Sequence, residues 1–543
     1  LQARGATGTT VAPGDSIDGK GGIDSFTISV AGSDLDGQIN GYTVSAVTLD
    51  NVEKFFVSNF DTNNGATTVE AGLMTGLTTV GLPSSSATGD TVIKSLKNNV
   101  DAEMRNGAGD LTLTYDGTYK VTGAADTQKL TVSGLTAGTF ATNGIETLNI
   151  HSELVKSTLA AATSTTLKTV NVTGDQNLTI STPLAFYGTA NTLDASTFTG
   201  KLNAGLGASK VTVKGGTGDD TFKFAGTLTK DDVVDGGAGA DRLTMTKADL
   251  GKEFTNVTGI ETVAFDSNKT VGMDVSKLSA GVTTVEVDLV DSVAEDEALD
   301  LSKITNLGSQ TVVVKHTVAD NTDAAGNDDA ALDDNNNDGV KLIITGATDT
   351  SADTVNVTLD AIGTEANFKA LDSLDVQNYE TVNINNKKST AVTKGDLKVL
   401  TASSATSVVV TGDSELTIGS LVGGAMTSFD ASALAAKLTT TFTSADKITA
   451  KAATKDTTFI FGTGLDNNDT VVGGAGTKDE VTATLSGRTA TNGKFNISGV
   501  ETLDFDTSGN GANNTIDLST VTGLKTLELS GNTQTIKGFD LGT

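Results

Sequence analysis

The sequence predicts an all-β, internally repeated fold in which parallel β-roll or solenoid turns are combined with short-strand, β-sandwich-like modules. Three observations predict it. A glycine- and aspartate-rich turn occurs in three places, and a glutamate-containing motif recurs at intervals approaching 120 residues. Between them lie short Thr- and Val-rich alternations such as Leu111-Thr112-Leu113-Thr114, punctuated by Gly and Asn, which is the pattern of many short strands.

The turn is best preserved in the block 213–245. Gly215-Gly216-Thr217-Gly218-Asp219-Asp220-Thr221-Phe222 fills every defined position of G-G-x-G-x-D-x-U-x, where U is apolar. An irregular half-turn carrying Asp232 and Asp235 follows, and then Gly236-Gly237-Ala238-Gly239-Ala240-Asp241-Arg242-Leu243. An N-terminal copy runs from Gly14 to Phe26 with Asp15, Asp18, Gly19, Gly21 and Asp24. The third copy, 452–481, is degraded. Ala452, Ala453 and Lys455 stand at glycine positions and Thr457 at the aspartate, while Asp469, Gly473, Gly474, Gly476 and Asp479 remain.

In each copy glycines are expected to turn the chain through conformations closed to other residues. An aspartate follows, and two residues later an apolar side chain plugs inward. Turn carbonyls and carboxylates are hard oxygen donors, and repeated nonapeptides of this kind stack into a parallel roll that holds calcium (Ca2+). The residues named in the three copies are therefore candidate metal ligands, with fewer ions expected at 452–481. The competing reading is that the aspartates cap backbone amides. Asp334, Asn336 and Asp338 resemble a D-x-N-x-D-G calcium loop, but Thr345 stands where a closing glutamate would fall, so a solvated acidic loop is the alternative.

The second motif is Gly144-Ile145-Glu146-Thr147, Gly259-Ile260-Glu261-Thr262, Asn378-Tyr379-Glu380-Thr381 and Gly499-Val500-Glu501-Thr502, with a shorter form at Asn51-Val52-Glu53. These glutamates are expected to cap the turn before their strand, a ligand role towards a neighbouring coil being the alternative. Longer phrases recur at offsets of 236 to 238 residues, Val172–Ile180 with Val410–Ile418, Leu193–Ser196 with Phe429–Ser432, and Thr221–Phe224 with Thr458–Phe461. Duplication on this scale suggests stacked units. It divides the chain into 1–143, 144–266, 267–377 with an acidic loop at 319–339, and 378–543, the last duplicating the second. Thr91 to Arg105 and Val293 to Ile304 are minor helical candidates.

Composition narrows the function. Sixty-seven acidic residues against 37 basic ones give a formal charge of −30, which opposes contact with nucleic acid or anionic membranes and favours divalent cations. With no cysteine, disulfides and thiolate chemistry are excluded. His151 and His316 supply too little for a zinc site or a catalytic triad, no H-E-x-x-H is present, and an enzyme is not expected. No apolar run approaches the roughly 20 residues of a membrane span. The chain begins at Leu1, so a processed product, a fragment, or an export signal lying elsewhere is expected.

Taken with the nonapeptides, Gly259-Ile260-Glu261-Thr262-Val263, the Asp-Ala-Ser phrases at 194–196 and 430–432, and Gly236–Asp241 resemble the recurring phrases of RTX-type surface-layer (S-layer) proteins of Gram-negative bacteria. The resemblance extends from about residue 14 to 531. It implies an extracellular protein exported by a type I system, self-assembling in a calcium-dependent manner into a two-dimensional lattice, with a region that grips lipopolysaccharide. An RTX-type adhesin or filament is the rival reading.

Overall fold

The computed structural model describes residues 2–3, 11–12, 14–32, 43–44, 46–61, 65–117, 121, 123, 125–207, 209–224, 226–246, 254–267, 271–289, 301–315, 341–360, 371–388, 394–444, 447–485, 494–508 and 515–539. Two compact units emerge, 1–263 with 279–281, and 264–278 with 282–543. The sequence blocks 1–143 and 144–266 fall almost wholly in the first unit, and 267–377 and 378–543 in the second.

Each unit is a parallel β-solenoid. Successive strands alternate between two sheets, so every coil adds one rung to each. In the first unit one sheet carries 12 strands, from Gln2–Ala3 to Val257–Thr258. Its partners are a six-stranded sheet ending at Ala161–Ser164 and then a ladder that begins at Ser157–Leu159. In the second unit an 11-stranded sheet from Val271–Asp274 to Thr526–Ser530 faces the ladder that runs from Thr284–Leu289 to Asn496–Ser498. Among the described residues every strand pairing is parallel, and the single helix is the 3-10 turn Val275–Lys277. The segments expected as sandwich-like modules thus continue the same parallel winding. No helix among the described residues is long and apolar enough to cross a membrane.

The winding follows from side-chain alternation. Each strand turns every second residue inward, and parallel register places like on like in the next coil. Leu148, Val170, Leu193, Val213 and Val234 form one column, each paired with the next. Val382, Val408, Phe429, Ala450, Val471 and Ile497 form another in the second unit. All but two of these eleven side chains are entirely out of solvent, Leu148 and Ile497 showing 1%. At about 1.5–3 kcal/mol for each large apolar side chain buried, such columns are the main source of stability. The sheets interlock through aromatic rings. Phe429 meets Phe442 edge-on at 5.4 Å and Phe459 at 6.1 Å, and Phe442 packs on Phe461 at 4.8 Å.

One sequence expectation is corrected, and a second lies mostly outside the described residues. Thr91 to Arg105 is two strands, Thr91–Leu96 and Asp101–Arg105, burying Ile93, Leu96, Ala102 and Met104. Neighbouring coils on both sides satisfy its backbone, which outweighs its helical propensity. Val293 to Ile304 is described only from residue 301, which opens the strand Leu301–Leu307. Glycine also works differently from expectation at several turn positions. Gly237 (φ 97°) and Gly239 (φ 134°) do use the left-handed region, but Gly215 does not. A Cβ on Gly215 would fall 1.8 Å from the Gly236 carbonyl oxygen of the next coil. Close stacking, not torsion, requires glycine there.

Gly215→Ala should therefore destabilise the protein by about 3 kcal/mol. Gly21→Ala, where a Cβ meets nothing within 4 Å, should stay within about 0.5 kcal/mol of wild type. Urea denaturation of both variants checks the contrast.

Candidate functional site

Where a chain leaves one sheet and enters the other, corner amides have no strand to pair with, and buried donors must find acceptors. The nonapeptide aspartates supply them. Asp220, fully buried, accepts the Leu202 N–H of the preceding coil on Oδ1 at 2.8 Å and the Gly216 N–H on Oδ2 at 2.7 Å. Its own N–H donates to Asp241 Oδ1 at 2.7 Å, and the Asp241 N–H donates to Glu261 Oε2 at 2.8 Å. Carboxylates thus climb from coil to coil, each taking a proton donor from the coil before.

The half-turn repeats this with Asp232, which accepts from Val211 N at 2.8 Å and Thr229 N at 2.7 Å. Asp235 accepts from Gly237 N at 3.3 Å. In the degraded copy Asp479 accepts from Thr457 N at 2.8 Å and Gly474 N at 2.7 Å, and Asp469 from Ile448 N at 2.9 Å and Asp466 N at 2.6 Å. Thr457, at the position of Asp220, still accepts the Ala453 N–H on its hydroxyl at 3.1 Å. Gly473 and Gly474 lie against the next and preceding coils, with Cβ positions 1.9 Å from Gly499 O and 1.7 Å from Ala453 O, and Gly476 packs on Asp456. Gly216, Gly218 and Gly236 are confined in the same way by Phe198, Gly200 and Gly259 carbonyls.

The N-terminal copy is looser. Asp15 accepts from Ala12 N at 2.8 Å. Exposed Asp18 is held by Lys20 Nζ at 2.7 Å and by Asn51 Nδ2 at 2.8 Å, contacts that keep its carboxyl well below the usual range. Gly19 lies under the Asn51 carbonyl, Gly21 is open, and Asp24 donates its N–H to Glu53 Oε2 at 2.8 Å. Asp334, Asn336 and Asp338 lie outside the described residues.

Glu53, Glu146, Glu261, Glu380 and Glu501 share one geometry. Each accepts the N–H of an aspartate one coil earlier, Asp24, Asp126, Asp241, Asp353 and Asp479, at 2.8 to 3.0 Å. That aspartate's carbonyl in turn accepts the N–H of the glutamate and of the following residue. The glutamates are caps, as expected, but they cap the neighbouring coil. Asp126 and Asp353 were not singled out from sequence. Their signal was an aspartate two residues before an inward side chain, 20 and 27 residues ahead of the glutamate.

One oxygen is left over in the best-preserved block. Gly237, with its positive φ, donates to Asp235 instead of Asp241, whereas Gly216 donates to Asp220. Asp241 is fully buried and its Oδ2 has no hydrogen-bond partner among the described residues. Burial, reinforced by the nearby Asp220, Glu261 and Asp219 carboxylates, pushes Asp241 up to about 6, and burial also raises Asp220 and Asp479. Among the described residues no group of three or more His, Asp or Glu side chains converges on a common point. No protein-family model matches the chain, and no curated protein matches it.

An acid whose folded pKa is raised stabilises the fold when protonated and loses that contribution as pH rises. The Asp241 contribution should be present near pH 4 and lost as pH climbs through about 6. In chelator, the melting temperature of Asp241→Asn relative to wild type should therefore rise between pH 4 and pH 7, as scanning calorimetry would read. Separately, Glu261→Ala should cost about 1.5–3 kcal/mol, the worth of a hydrogen bond to a charged group. Glu261→Gln should recover part of it, measured by denaturation.

Proposed function

We propose that this chain is a structural, non-enzymatic protein of the bacterial cell surface, stiffened by calcium at its glycine-aspartate turns and assembling with copies of itself into a surface layer. The observation that carries this reading is the buried Oδ2 of Asp241, which has no hydrogen-bond partner among the described residues, between the stacked turns Gly215–Asp220 and Gly236–Asp241. An anionic oxygen in that position suits a divalent cation. Asp24 and Asp126 likewise leave a buried Oδ2 without a partner among the described residues. Asp241, with turn carbonyls beside it, would hold the ion, whereas Asp220, Asp232 and Asp479 spend both oxygens on backbone amides. When bound, calcium would supply fixed positive charge against the repulsion among Asp219, Asp220, Asp241 and Glu261.

Repulsion also bears on assembly. A chain at −30 resists meeting its own kind, and divalent cations are the simplest remedy. The acidic stretch 319–339 remains the candidate contributor of ligands between copies.

Extracellular calcium modules bind with dissociation constants of roughly 10⁻⁴–10⁻³ M. At about 1 mM free ion, a site of about 0.1 mM adds about 1.4 kcal/mol. Adding calcium to the chelated protein should raise the melting temperature, and Asp241→Ala should remove most of that gain. Electron microscopy with calcium should show sheets. Fibres would favour an adhesin or filament, and a melting temperature indifferent to EGTA would remove calcium from the account.

A further inference from the structure

The duplicated blocks differ at one corner. In the first unit Lys201 forms an ion pair with Asp219 of the next coil, closing the corner between them. The second unit keeps both residues as Lys437 and Asp456. Leu202 and Leu438 occupy the same register beside Leu178 and Leu416. The correspondence extends to the backbone, since Ala240 N donates to Asp219 Oδ1 at 3.0 Å and Thr477 N to Asp456 Oδ1 at 3.1 Å.

Here the pair is open. Lys437 and Asp456 line a cavity of about 380 Å³ together with Lys388, Lys455, Asp413 and Glu415. Among the described residues Lys388, Lys437 and Lys455 form no ion pair. Asp413 is fixed by the Lys388 N–H at 2.8 Å, and Glu415 lies 3.9 Å from Lys394 Nζ. Lys455 stands at the position of Gly218, where a Cβ would fall 2.4 Å from the Gly200 carbonyl oxygen. In the second unit a full lysine stands there and lines the cavity.

We propose that this corner binds a small anionic sugar. Its phosphate or carboxylate would be taken by the lysine ammonium groups and its hydroxyls by Asp413, Glu415 and Asp456. Three cations that form no ion pair among the described residues, gathered in a strongly acidic chain, call for an anion. Three carboxylates among them disfavour a bare polyanion and suit a ligand that also donates hydroxyl protons. The volume lies within the roughly 300–1,000 Å³ of small-ligand sites. Without an aromatic platform among the lining residues, recognition would be polar and sensitive to salt.

Calorimetric titration of the full chain with glucose 6-phosphate, glucuronate and glucose, each with and without calcium, tests the proposal. Binding of at least one anionic sugar with a dissociation constant of about 1 mM or tighter is expected, glucose being at least about tenfold weaker. Response to the phosphate alone points to a phosphorylated source, and response to glucuronate to a uronic-acid source. Lys437→Ala and Lys455→Gly should each weaken binding by about tenfold. Melting temperature should hold in both, and Lys201→Ala should leave binding unchanged. No binding up to about 10 mM, equal binding of glucose, or indifference to both cavity variants would overturn it. So would self-association abolished by those variants without any sugar binding, which would make the corner a contact between copies.

Discussion

Parallel strands stack at about 4.8 Å, and that spacing governs the rest of the molecule. Inside the sheets it is harmless, because apolar columns such as Val382 to Ile497 gain contact by repetition. At the corners it is severe. Adjacent coils approach so closely that the Cβ positions of Gly215, Gly236, Gly473 and Gly474 collide with carbonyl oxygens of their neighbours. A side chain at these four positions would push the neighbouring coil away, whereas in the degraded copy Ala452 and Ala453 occupy the positions that correspond to Gly215 and Gly216.

The same spacing explains both the use and the cost of the carboxylates. Corner amides lack ladder partners, and Asp220, Asp232, Asp469 and Asp479 each accept such donors with both oxygens. Repeating an acid at one corner from coil to coil nevertheless brings like charges together, and Asp241 sits where three neighbouring carboxylates reinforce its burial. Thr457 is the neutral solution at the equivalent position, keeping a hydrogen bond without the charge. Lysine offers a second remedy, as Lys201 shows against Asp219 and Lys451 against Asp430.

Much of this is legible in the sequence. The D-x-U phrase places Asp220 at the corner and Phe222 in the core, and alternation marks the strands. What could not be read was which coil each side chain touches. Glu261 announces a cap, but its partner Asp241 is distant in sequence by a coil length that varies along the chain. Glycine at 215 reads as a torsional device because sequence carries no information about the neighbouring carbonyl. Thr91 to Arg105 misled because Lys94, Ala102, Glu103 and Met104 favour helix locally, while register with two flanking coils decided the outcome. The open corner at Lys437 was invisible for the same reason.

The glutamate clasp has the same bonds whether 20 residues separate its partners, as for Asp126 and Glu146, or 29, as for Asp24 and Glu53. The pinned points at either end hold the following strand in phase whatever the number of residues between them. The clasp is thus a phase lock that separates the length of a coil from its alignment. A winding protected in this way can accept foreign peptide between the clasped points without slippage of the coils beyond, which makes the clasped coils natural positions for displaying inserted sequence.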